Sequence, residues 1–314
     1  MDTRKDDRAL RPLTFSDFLG QDEAKRNLST FVKAARSRGE PLDHLLLTGR
    51  PGLGKTTLAN IIANEMGSRI VVINASTVKV KGDLARAIIE LNKGDILFID
   101  EIHSLRLDIE ELLYTAMEDY RIDMATPNGA VSVQIAPFTL IGATTRAGDL
   151  SQPLRDRFGE IIQMKPYTNQ ELTMIVLQSA PKLGLKVTEE GAYVIGSRSR
   201  GTPRVANRLT RRARDFAFEA GHDILDGDTA LVTCKLLEVD AMGLDSTSQK
   251  YLSLLSERQT PIGVDAVAAI LGEARITIED AVEPFLMSQG LIERTPKGRM
   301  ITSAGDNHVR GVKL

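Results

Sequence analysis

The sequence predicts an α/β domain built on a parallel sheet, followed by an all-helical domain and a winged-helix module. Three observations predict this order. Short apolar runs alternate with amphipathic stretches over the first half of the chain, helical periodicity alone follows, and helices with a short hairpin end the chain. Buried strands that alternate with helices are typical of a parallel sheet covered on both faces. We therefore expect three domains, at residues 1–167, 168–242 and 243–314.

The composition is that of a folded protein with more than one domain. The chain has 314 residues, of which 42% are hydrophobic and 26% charged, and this length exceeds what one ordinary core organises. The formal net charge of −2 means that any nucleic-acid contact has to come from a local basic patch. The single cysteine, Cys234, excludes an internal disulfide and fits a reducing compartment. A charged start and the lack of a membrane-length apolar run predict a cytoplasmic protein without membrane contact.

The first domain should consist of one leading helix and four strands with helices between them. The helix is expected at residues 21–38, with Gly39 placed to end it. Because the four apolar runs are continuous rather than alternating, the strands should be buried on both faces. The runs are HLLLTG (44–49), RIVVIN (69–74), DILFID (95–100) and FTLIGATT (138–145).

The rest of the chain changes character twice. Residues 168–240 show helical periodicity alone, which predicts the all-helical second domain. After residue 243, helical stretches at 247–257, 264–271 and 276–289 precede two short extended pieces, LIERT and RMIT, which the turn TPKG joins. Three helices followed by a hairpin are typical of a winged helix-turn-helix module.

The stretch GRPGLGKT (49–56) predicts a phosphate-binding loop. It satisfies G-x-x-x-x-G-K-[ST] and lies between a predicted strand and the start of a predicted helix, as the mechanism requires. Its glycines let backbone N–H groups wrap phosphate oxygens, and the helix N-terminus adds a favourable dipole. Lys55 should reach the β- and γ-phosphates, and the Thr56 hydroxyl should ligate Mg²⁺. The other residues expected around the nucleotide phosphates are Gly52, Gly54 and Thr57.

An acidic pair supports the same chemistry. The run ILFIDEIH (96–103) is an apolar strand that ends in two carboxylates. Asp100 is expected to hold Mg²⁺ through water, and Glu101 to orient and polarise the attacking water. Together, the loop and the acidic pair predict a nucleoside triphosphatase.

Phosphoryl transfer also needs positive charge where the γ-phosphate leaves, and two segments offer arginines. Arg204 in GTPR (201–204) begins a helix of the second domain, which could thereby close over the chain's own nucleotide. Arg155 and Arg157 in PLRDRFG (153–159) lie past the last strand of the sheet. In ring-forming ATPases an arginine at that place points into the neighbouring subunit's site, whereas the alternative is a surface turn.

Seven stretches, which together cover nearly the whole chain, carry a resemblance to a known family. They are LRPLTFSDFLGQ (10–21), PLDHLLLTGRPGLGKTTLA (41–59), ILFIDEIHSL (96–105), LYTAMEDY (113–120), FTLIGATTRAGDLSQPLRDRFG (138–159), RGTPRVANRLTRRARDFA (200–217) and TIEDAVEPFLMSQGLIERTPKGR (277–299). On these residues the chain resembles the RuvB family of AAA+ ATPases, bacterial ring motors that drive branch migration of Holliday junctions. The resemblance implies ATP as the nucleotide, a ring of six subunits and double-stranded DNA as the track.

The resemblance also implies roles for further residues. Thr145 matches the polar sensor between the acidic pair and the γ-phosphate, Arg157 the finger given in trans, and Arg204 the sensor on the lid. Arg155 is expected to be structural and to pair with Asp156 or a neighbouring acid. The adenine pocket should include Leu10, Arg11 and Tyr167, and a segment near the nucleotide should include Glu118, Asp119 and Tyr120.

The winged module is expected to meet DNA with its wing. Its second helix, ITIEDAVEPF, carries Glu279, Asp280 and Glu283, which would repel phosphates. The wing instead gathers Arg294, Lys297 and Arg299 around a Pro-Gly turn, and two of them match the DNA-contacting arginines of the family, Arg294 and Arg299. We expect contacts mainly to phosphates; the alternative is a solvated basic turn.

The sequence departs from the family in two places. The phosphate loop has GRPG, with Arg50, where the family usually has GPPG. The predicted hairpin at 121–137, with the turn Asn128-Gly129, is a few residues shorter than usual. In the family this hairpin docks the partner RuvA, and a RuvC-like resolvase is a further possible partner. Val131, Val133 and Ile135 give one apolar face, which either receives a partner or packs on the chain's own sheet.

Two other functions remain open from the residues. A clamp-loader-like ATPase acting on DNA usually carries a Ser-Arg-Cys finger motif, whereas this chain has LRDRFG. A protein-unfolding AAA+ ring threads its substrate past an aromatic pore loop, and residues 66–94 contain no aromatic-apolar-Gly stretch of that kind. The sequence therefore favours a DNA-translocating ring ATPase.

Overall fold

A five-stranded parallel sheet organises the first of the two units into which the chain divides. The computed structural model describes residues 9–126 and 129–311. The first unit comprises Met1–Ile175 and Gly201–Arg204, and the second comprises Val176–Arg200 and Val205–Leu314. The predicted second and third domains thus fall largely within one unit, and the three predicted domain boundaries stay a prediction.

The first unit alternates helices and strands, as expected for a parallel sheet. Its sheet has the strand order β2-β3-β6-β1-β7, and β4 pairs with β5 in a separate hairpin. The elements are α1 (Asp22–Arg38), β1 (Leu45–Thr48), α2 (Lys55–Met66), β2 (Ile70–Asn74), α3 (Lys81–Ile89), β3 (Ile96–Asp100), α4 (Leu107–Glu118), β4 (Arg121–Thr126), β5 (Gly129–Gln134), β6 (Thr139–Thr144), α5 (Gln152–Arg155), β7 (Glu160–Gln163) and α6 (Asn169–Lys182), which continues into the second unit.

The predicted leading helix and all four predicted strands are present. Gly39 ends α1 in the left-handed conformation, which a residue without Cβ adopts at no steric cost. Strands β1 and β6 are buried at every position, whereas β2 is half-exposed because it lies at the edge of the sheet. The fifth strand, β7, was not predicted. It pairs with β1 at the other edge, and its polar ends, Glu160 and Gln163, hide it from a search for apolar runs.

Helix α4 packs its apolar stripe on one face of the sheet. Ile109 and Leu113 are fully buried in the cluster that also contains Leu97 and Leu140 of the sheet. Burying such a side chain contributes about 1.5–3 kcal/mol relative to leaving it in water. This packing fixes where the end of α4 lies against the sheet.

His44 fastens the C-terminal end of α4 to the start of β1. Its Nε2–H donates to the Met117 carbonyl oxygen over 3.1 Å, and its Nδ1 accepts the Leu140 N–H over 2.8 Å. These two bonds require the neutral imidazole with hydrogen on Nε2. Burial, the largest cause, lowers the pKa of His44 below its ordinary value, although the Met117 carbonyl and Asp43 act in the opposite direction.

The buried His44 should make the first unit acid-sensitive. Because the folded pKa lies below the unfolded value of 6.5, the unfolded chain binds the extra proton. This contribution to stability is complete above pH 6.5 and is lost as pH falls from there toward the folded pKa, at up to about 1.4 kcal/mol per pH unit. Denaturant unfolding at pH 7.5 and 5.5 should show it, and His44→Gln should be less stable at pH 7.5 but lose less on acidification. Equal losses in both proteins would exclude His44 as the cause.

The second unit is mainly helical. The predicted all-helical domain also holds a two-residue parallel strand pair, β8 with β9, which is too short to leave an apolar run in the sequence. The elements are β8 (Lys186–Val187), α7 (Glu189–Ser197), α8 (Pro203–Glu219), β9 (Ile224–Leu225), α9 (Gly227–Leu236), α10 (Ser246–Arg258), α11 (Val264–Leu271), α12 (Arg275–Thr277), a π-helical turn (Ile278–Val282), α13 (Glu283–Ser288), β10 (Ile292–Thr295), β11 (Gly298–Ile301) and α14 (Ser303–Val309).

Arg200 joins the helical part of this unit to its winged part. It donates to the Gly243 carbonyl oxygen and pairs with Asp245 over 3.0 Å. Burial alone would raise the pKa of Asp245, but the charge of Arg200 and the bonds from Ser248 outweigh it and hold the pKa below its ordinary value. These bonds tie the two parts of the second unit to each other. In neither unit does a described helix have the length and apolarity needed to cross a membrane.

Candidate nucleotide and DNA sites

The phosphate loop connects β1 to α2 at the carboxyl edge of the sheet. Gly52 and Gly54 adopt φ values of 83° and 101°, where a side chain is strained. A Cβ on Gly52 would lie 3.0 Å from Cβ of Arg204, and Gly54 is the N-cap of α2. Thr56 and Thr57 follow at the half-buried start of α2. The loop is therefore a backbone cradle at a helix N-terminus, the arrangement that binds phosphate.

Lys55 lies across this cradle. Its side chain is buried, and Nζ donates to the Gly49 carbonyl oxygen over 2.7 Å and to that of Arg50 over 3.3 Å. Burial, the largest cause, lowers the pKa of Lys55, Glu101 and Asp100 raise it, and Arg204 lowers it. Because both hydrogen-bond partners are neutral carbonyl groups, a bound phosphate can take their place.

The charges of the acidic pair, Asp100 and Glu101, raise the pKa of Lys55. Asp100 ends β3, and its Oδ1 accepts the backbone N–H of Glu101 over 3.1 Å. Glu101 has φ 50°, uncommon outside glycine, and its Oε2 accepts the Thr145 hydroxyl over 3.2 Å. The structure thus brings together Asp100, Glu101 and Thr145, as the sequence predicted.

A metal ion at this place would draw on few side chains. Among the described residues, no three His, Cys, Asp or Glu side chains cluster to hold a metal. Mg²⁺ normally keeps several waters and is bound by one or two protein oxygens together with substrate phosphates. Thr56 at the start of α2 and Asp100 at the end of β3 offer a hydroxyl and a carboxylate oxygen, the kind of ligand that Mg²⁺ prefers.

Arg204 belongs to the first unit and contacts the phosphate loop. Its backbone N–H donates to the Gly52 carbonyl oxygen over 3.4 Å, and its charge is one of the causes that lower the pKa of Lys55. Its predicted sensor role in the chain's own site stays a prediction.

The predicted adenine pocket is partly assembled. Tyr167 is buried, its hydroxyl donates to the Leu53 carbonyl oxygen over 3.4 Å, and burial raises its pKa. Its backbone N–H donates to the Gly201 carbonyl oxygen over 2.9 Å. Leu10 is buried and Arg11 exposed, and their contacts with a base stay predictions.

Arg157 is held in a defined place by three groups. Nη2 pairs with Glu118 over 3.1 Å, and Nη1 donates to the Pro153 carbonyl oxygen over 2.7 Å. The guanidinium lies 4.6 Å from the ring centroid of Tyr114, whose hydroxyl hydrogen-bonds the α5 cap Ser151 over 2.8 Å. Nε–H is buried without a partner. The guanidinium is thus positioned but not saturated, because it retains free N–H groups.

Arg157 and the phosphate loop lie at opposite ends of the strands. Arg157 lies near their amino ends, and the phosphate loop lies at their carboxyl ends. Gly159, two residues after Arg157, donates its N–H to the His44 carbonyl oxygen, just before β1 begins, whereas the phosphate loop follows β1. The four residues of β1 span about 13 Å, which is longer than an arginine side chain. Arg157 therefore cannot serve the chain's own nucleotide.

The segment Glu118, Asp119 and Tyr120 lies near the amino ends of the strands, as Arg157 does. It therefore lies away from the chain's own phosphate loop, and its expected place near a nucleotide stays a prediction. Glu118 pairs with Arg157, Asp119 lies 3.7 Å from Arg121, and the ring of Tyr120 packs edge-on against Phe138. The reason is the direction of α4, which runs from the carboxyl ends of the strands back to their amino ends. Its last turn, which includes Met117, lies at the start of β1. Any nucleotide contact of this segment would be with a neighbour's nucleotide.

Arg155 has a local role, but not the predicted pairing with Asp156. Its Nη2 donates to the Leu150 carbonyl oxygen over 3.4 Å, while Asp156 accepts from Gln152 over 2.6 Å. Side chains four residues apart on α5 meet on one face, and neighbouring residues do not. Arg155 therefore supports the turn that carries Arg157.

The wing arginines are occupied within the winged part. Glu283 has no exposed surface, and it accepts from Tyr251, from Arg294 over 2.6 Å and from Arg299 over 2.8 Å. Arg299, with 14% of its side chain exposed, also pairs with Glu279. Burial alone would raise the pKa of Glu283, but the bonds from Arg299, Arg294 and Tyr251 hold it below its ordinary value. Arg299 is thus engaged with a buried carboxylate, and its expected phosphate contact stays a prediction.

Two cations of the wing face solvent. Lys297 is exposed at the turn between β10 and β11, and Arg294 is half-exposed although it pairs with Glu283. The second helix of the module is interrupted by the π-helical turn Ile278–Val282 and carries the acids predicted to repel DNA. The wing, with Lys297 at its tip, stays the candidate DNA surface.

The hairpin of β4 and β5 divides its apolar face between the core and solvent. Ile122 and Ile135 at its base are buried, whereas Val131 is 45% exposed and Val133 is half-buried. The base of this face thus packs on the chain's own domain and Val131 is left exposed, while docking of a partner stays a prediction. Asn128 of the predicted turn lies outside the described residues.

Two residues of the sites were given no role from the sequence. Tyr114 lies one helical turn before Glu118, so both face Arg157, and this i, i+4 spacing was the available signal. His103 follows the acidic pair by two residues and contacts Glu101. Its signal was its place in the motif, which does not by itself show which way the ring points.

Comparisons with known proteins match nearly all of the described chain. Residues 10–164 match the family model of the Holliday junction DNA helicase RuvB P-loop domain, residues 167–240 that of the RuvB AAA lid domain, and residues 241–310 that of the RuvB C-terminal winged helix domain. A solved structure of Thermotoga maritima RuvB, a Holliday junction branch migration motor, is 43% identical with a TM-score of 0.87. A lysine-to-arginine mutant of it is 44% identical with a TM-score of 0.89. Each alignment covers 96% of this chain and 98% of the other.

Proposed function

Because this chain belongs to the RuvB family of AAA+ P-loop ATPases, we propose that it is an ATP-driven ring motor. It moves double-stranded DNA and drives branch migration of Holliday junctions in homologous recombination and DNA repair. The observation that carries the proposal is the placement of the phosphate loop and Arg157 at opposite ends of the strands of one sheet. A site divided in this way is complete only between neighbouring copies, as in a ring motor.

The nucleotide is ATP, and Mg²⁺ binds with it through Thr56 and Asp100. When bound, the ion neutralises phosphate charge during transfer. Lys55 and Arg204 supply positive charge from the chain's own side of the site, and both lie at the phosphate loop. Glu101 faces the same place and accepts the attacking water's hydrogen bond, with Thr145 orienting its carboxylate.

The ring contains six copies, in keeping with the family. Each copy offers Arg157, with Glu118 and Tyr114 behind it, to the nucleotide of its neighbour. A planar guanidinium with N–H groups beyond those that bond Pro153 and Glu118 suits the charge that spreads over the leaving phosphoryl group. Since branched DNA is the substrate, the motor works in the cytoplasm of a bacterial cell.

DNA contacts the wing, mainly through phosphates. A motor that slides along any sequence needs contacts that ignore base identity. Lys297 at the tip and the exposed part of Arg294 supply them, and Glu283 holds Arg294 in place from below.

The wing assignment predicts opposite results for two neighbouring cations. Lys297→Ala should weaken binding of duplexes of any sequence and reduce the salt dependence by about one unit, because one phosphate contact is lost. It should leave stability unchanged. Arg299→Ala should instead lower the free energy of unfolding by about 2 kcal/mol, because it removes a partner of a buried carboxylate. Fluorescence anisotropy at several salt concentrations and denaturant unfolding measure the two effects. If Lys297→Ala bound duplex normally, the DNA site would lie elsewhere.

The hairpin docks a RuvA-like junction-binding protein, and a RuvC-like resolvase acts on the same junction. The exposed Val131 is the apolar contact that a partner can cover, while the buried base keeps the hairpin fixed.

Introducing a charge on this face should uncouple the motor from its partner. Val131→Glu is expected to fold normally and to keep its basal ATPase, since Val131 is already solvent-exposed, but to lose partner-stimulated branch migration. Ser132→Glu, on the opposite face of β5, is the matched control and should keep the stimulation. Insoluble Val131→Glu protein would mean that the chain's own domain covers this face.

ATPase activity with different stimulants tests the function as a whole. We expect four-way DNA to stimulate hydrolysis, in the presence of a RuvA-like protein, more than linear duplex does, and unfolded protein not at all. Stimulation by a sliding clamp and a primed template instead would indicate a clamp-loader-like ATPase, and stimulation by unfolded protein would indicate an unfoldase.

A further inference from the structure

His103 lies between the acidic pair and the end of β6. Its Nδ1 is 3.0 Å from the Thr144 hydroxyl oxygen and 3.3 Å from Glu101 Oε2. Only 14% of its side chain is exposed. Thr144 is fully buried and accepts the backbone N–H of Arg146 over 2.9 Å. The ring is therefore anchored to a fixed group of the sheet.

The contact with Glu101 determines which ring nitrogen carries hydrogen. A lone pair on Nδ1 would face a carboxylate oxygen and be repelled by it. The tautomer with hydrogen on Nδ1 is therefore favoured, and this N–H donates to the Thr144 hydroxyl oxygen. The polarised Nδ1–H of His103 thus lies beside the Glu101 carboxylate, with Nδ1 3.3 Å from Oε2.

The same oxygen of Glu101 contacts two donors from different parts of the chain. Thr145 Oγ1 lies 3.2 Å from Oε2 and His103 Nδ1 3.3 Å from it. Thr145 and Thr144, the anchor of His103, are neighbours at the end of β6. Both contacts of Oε2 thus depend on one strand end.

We propose that His103 is a positioning residue for the water-activating carboxylate of Glu101. It keeps Oε2 turned toward β6 and thereby keeps Oε1 toward the reacting phosphate. The proposal rests on the proposed role of Glu101. A displacement of about 1 Å in a reacting group can cost roughly 100-fold in rate, so the loss of His103 should lower turnover and not nucleotide affinity.

Three substitutions test the role of Nδ1. His103→Ala should lower kcat roughly 10- to 100-fold while KM and ATP affinity change little. His103→Asn places an amide N–H near the position of Nδ1 and should recover much of the lost kcat. His103→Gln places it near the position of Nε2, out of reach of Glu101, and should stay near the alanine variant. Steady-state ATPase kinetics and nucleotide binding by calorimetry give these values.

Several outcomes would overturn the proposal. Full kcat in His103→Ala, equal activity of the Asn and Gln variants, or a joint loss of ATP affinity, thermal stability and kcat in all three would each do so. The last would indicate a structural role. Glu101→Gln in the same assay separates this inference from the function it rests on. Normal hydrolysis by Glu101→Gln would remove the role of Glu101 itself. An inactive Glu101→Gln beside a fully active His103→Ala would remove only that of His103.

Discussion

Replacing Arg157 with alanine should leave ATP binding nearly normal and lower turnover by about 10³- to 10⁵-fold. The reason is the geometry of the sheet. Arg157 lies too far from its own phosphate loop to hold that nucleotide, but it can place charge on a phosphoryl group that leaves in a neighbouring subunit. Nucleotide binding by calorimetry and steady-state hydrolysis measure the two quantities.

Two matched variants limit the interpretation of this result. Arg157→Lys should recover little, because a point charge lacks the planar, forked donors that spread over phosphate oxygens. Arg155→Ala, two residues away, removes only a local bond to the Leu150 carbonyl group and should keep most of the activity. If Arg155→Ala and Arg157→Ala were equally inactive, the defect would be in the turn and not in a finger.

Glu101→Gln should bind ATP and hydrolyse it about 10²- to 10⁴-fold more slowly. Glutamine has the same shape, and its amide oxygen can still accept the Thr145 hydroxyl, so the local structure is preserved. What is lost is the negative charge that polarises the attacking water. A ring that holds ATP without hydrolysing it should remain on DNA, which a filter-binding or anisotropy assay detects.

Lys55→Ala provides the contrast for the acidic residue. It removes the buried cation of the phosphate loop and should therefore lose ATP affinity as well as turnover. Hydrolysis at the normal rate by Glu101→Gln would show that another group activates the water.

Much of the fold was readable because apolar runs report burial directly. Strands β1, β3 and β6 form the middle of the sheet, and their continuous apolar runs predicted them. Strand β7 was not predicted, because an edge strand pairs on one side only and keeps polar ends. The β8 and β9 pair escaped because two residues carry no periodicity.

The site residues also divide into those that local sequence features predict and those whose partners only the fold shows. The phosphate loop, Asp100 and Glu101 were predicted because backbone geometry and strand ends place them, and both are local features of the sequence. The partners of Arg157 and Arg299 depend on which helix comes to lie beside them, and no local pattern encodes that. The sequence of a basic cluster such as the wing does not show whether its charges contact DNA or a buried acid. Only the fold showed that Arg299 pairs with Glu283.

Hydrolysis by a mixture of Lys55→Ala and Arg157→Ala subunits tests most directly that the active site is shared between copies. Each variant alone should be nearly inactive, since one lacks the phosphate-loop cation in every site and the other lacks the finger in every site. In mixed rings some interfaces join an intact phosphate loop to an intact Arg157, so part of the ATPase activity should return, in proportion to mixing. No recovery in rings shown to contain both variants would contradict the trans assignment and return PLRDRFG to a surface turn.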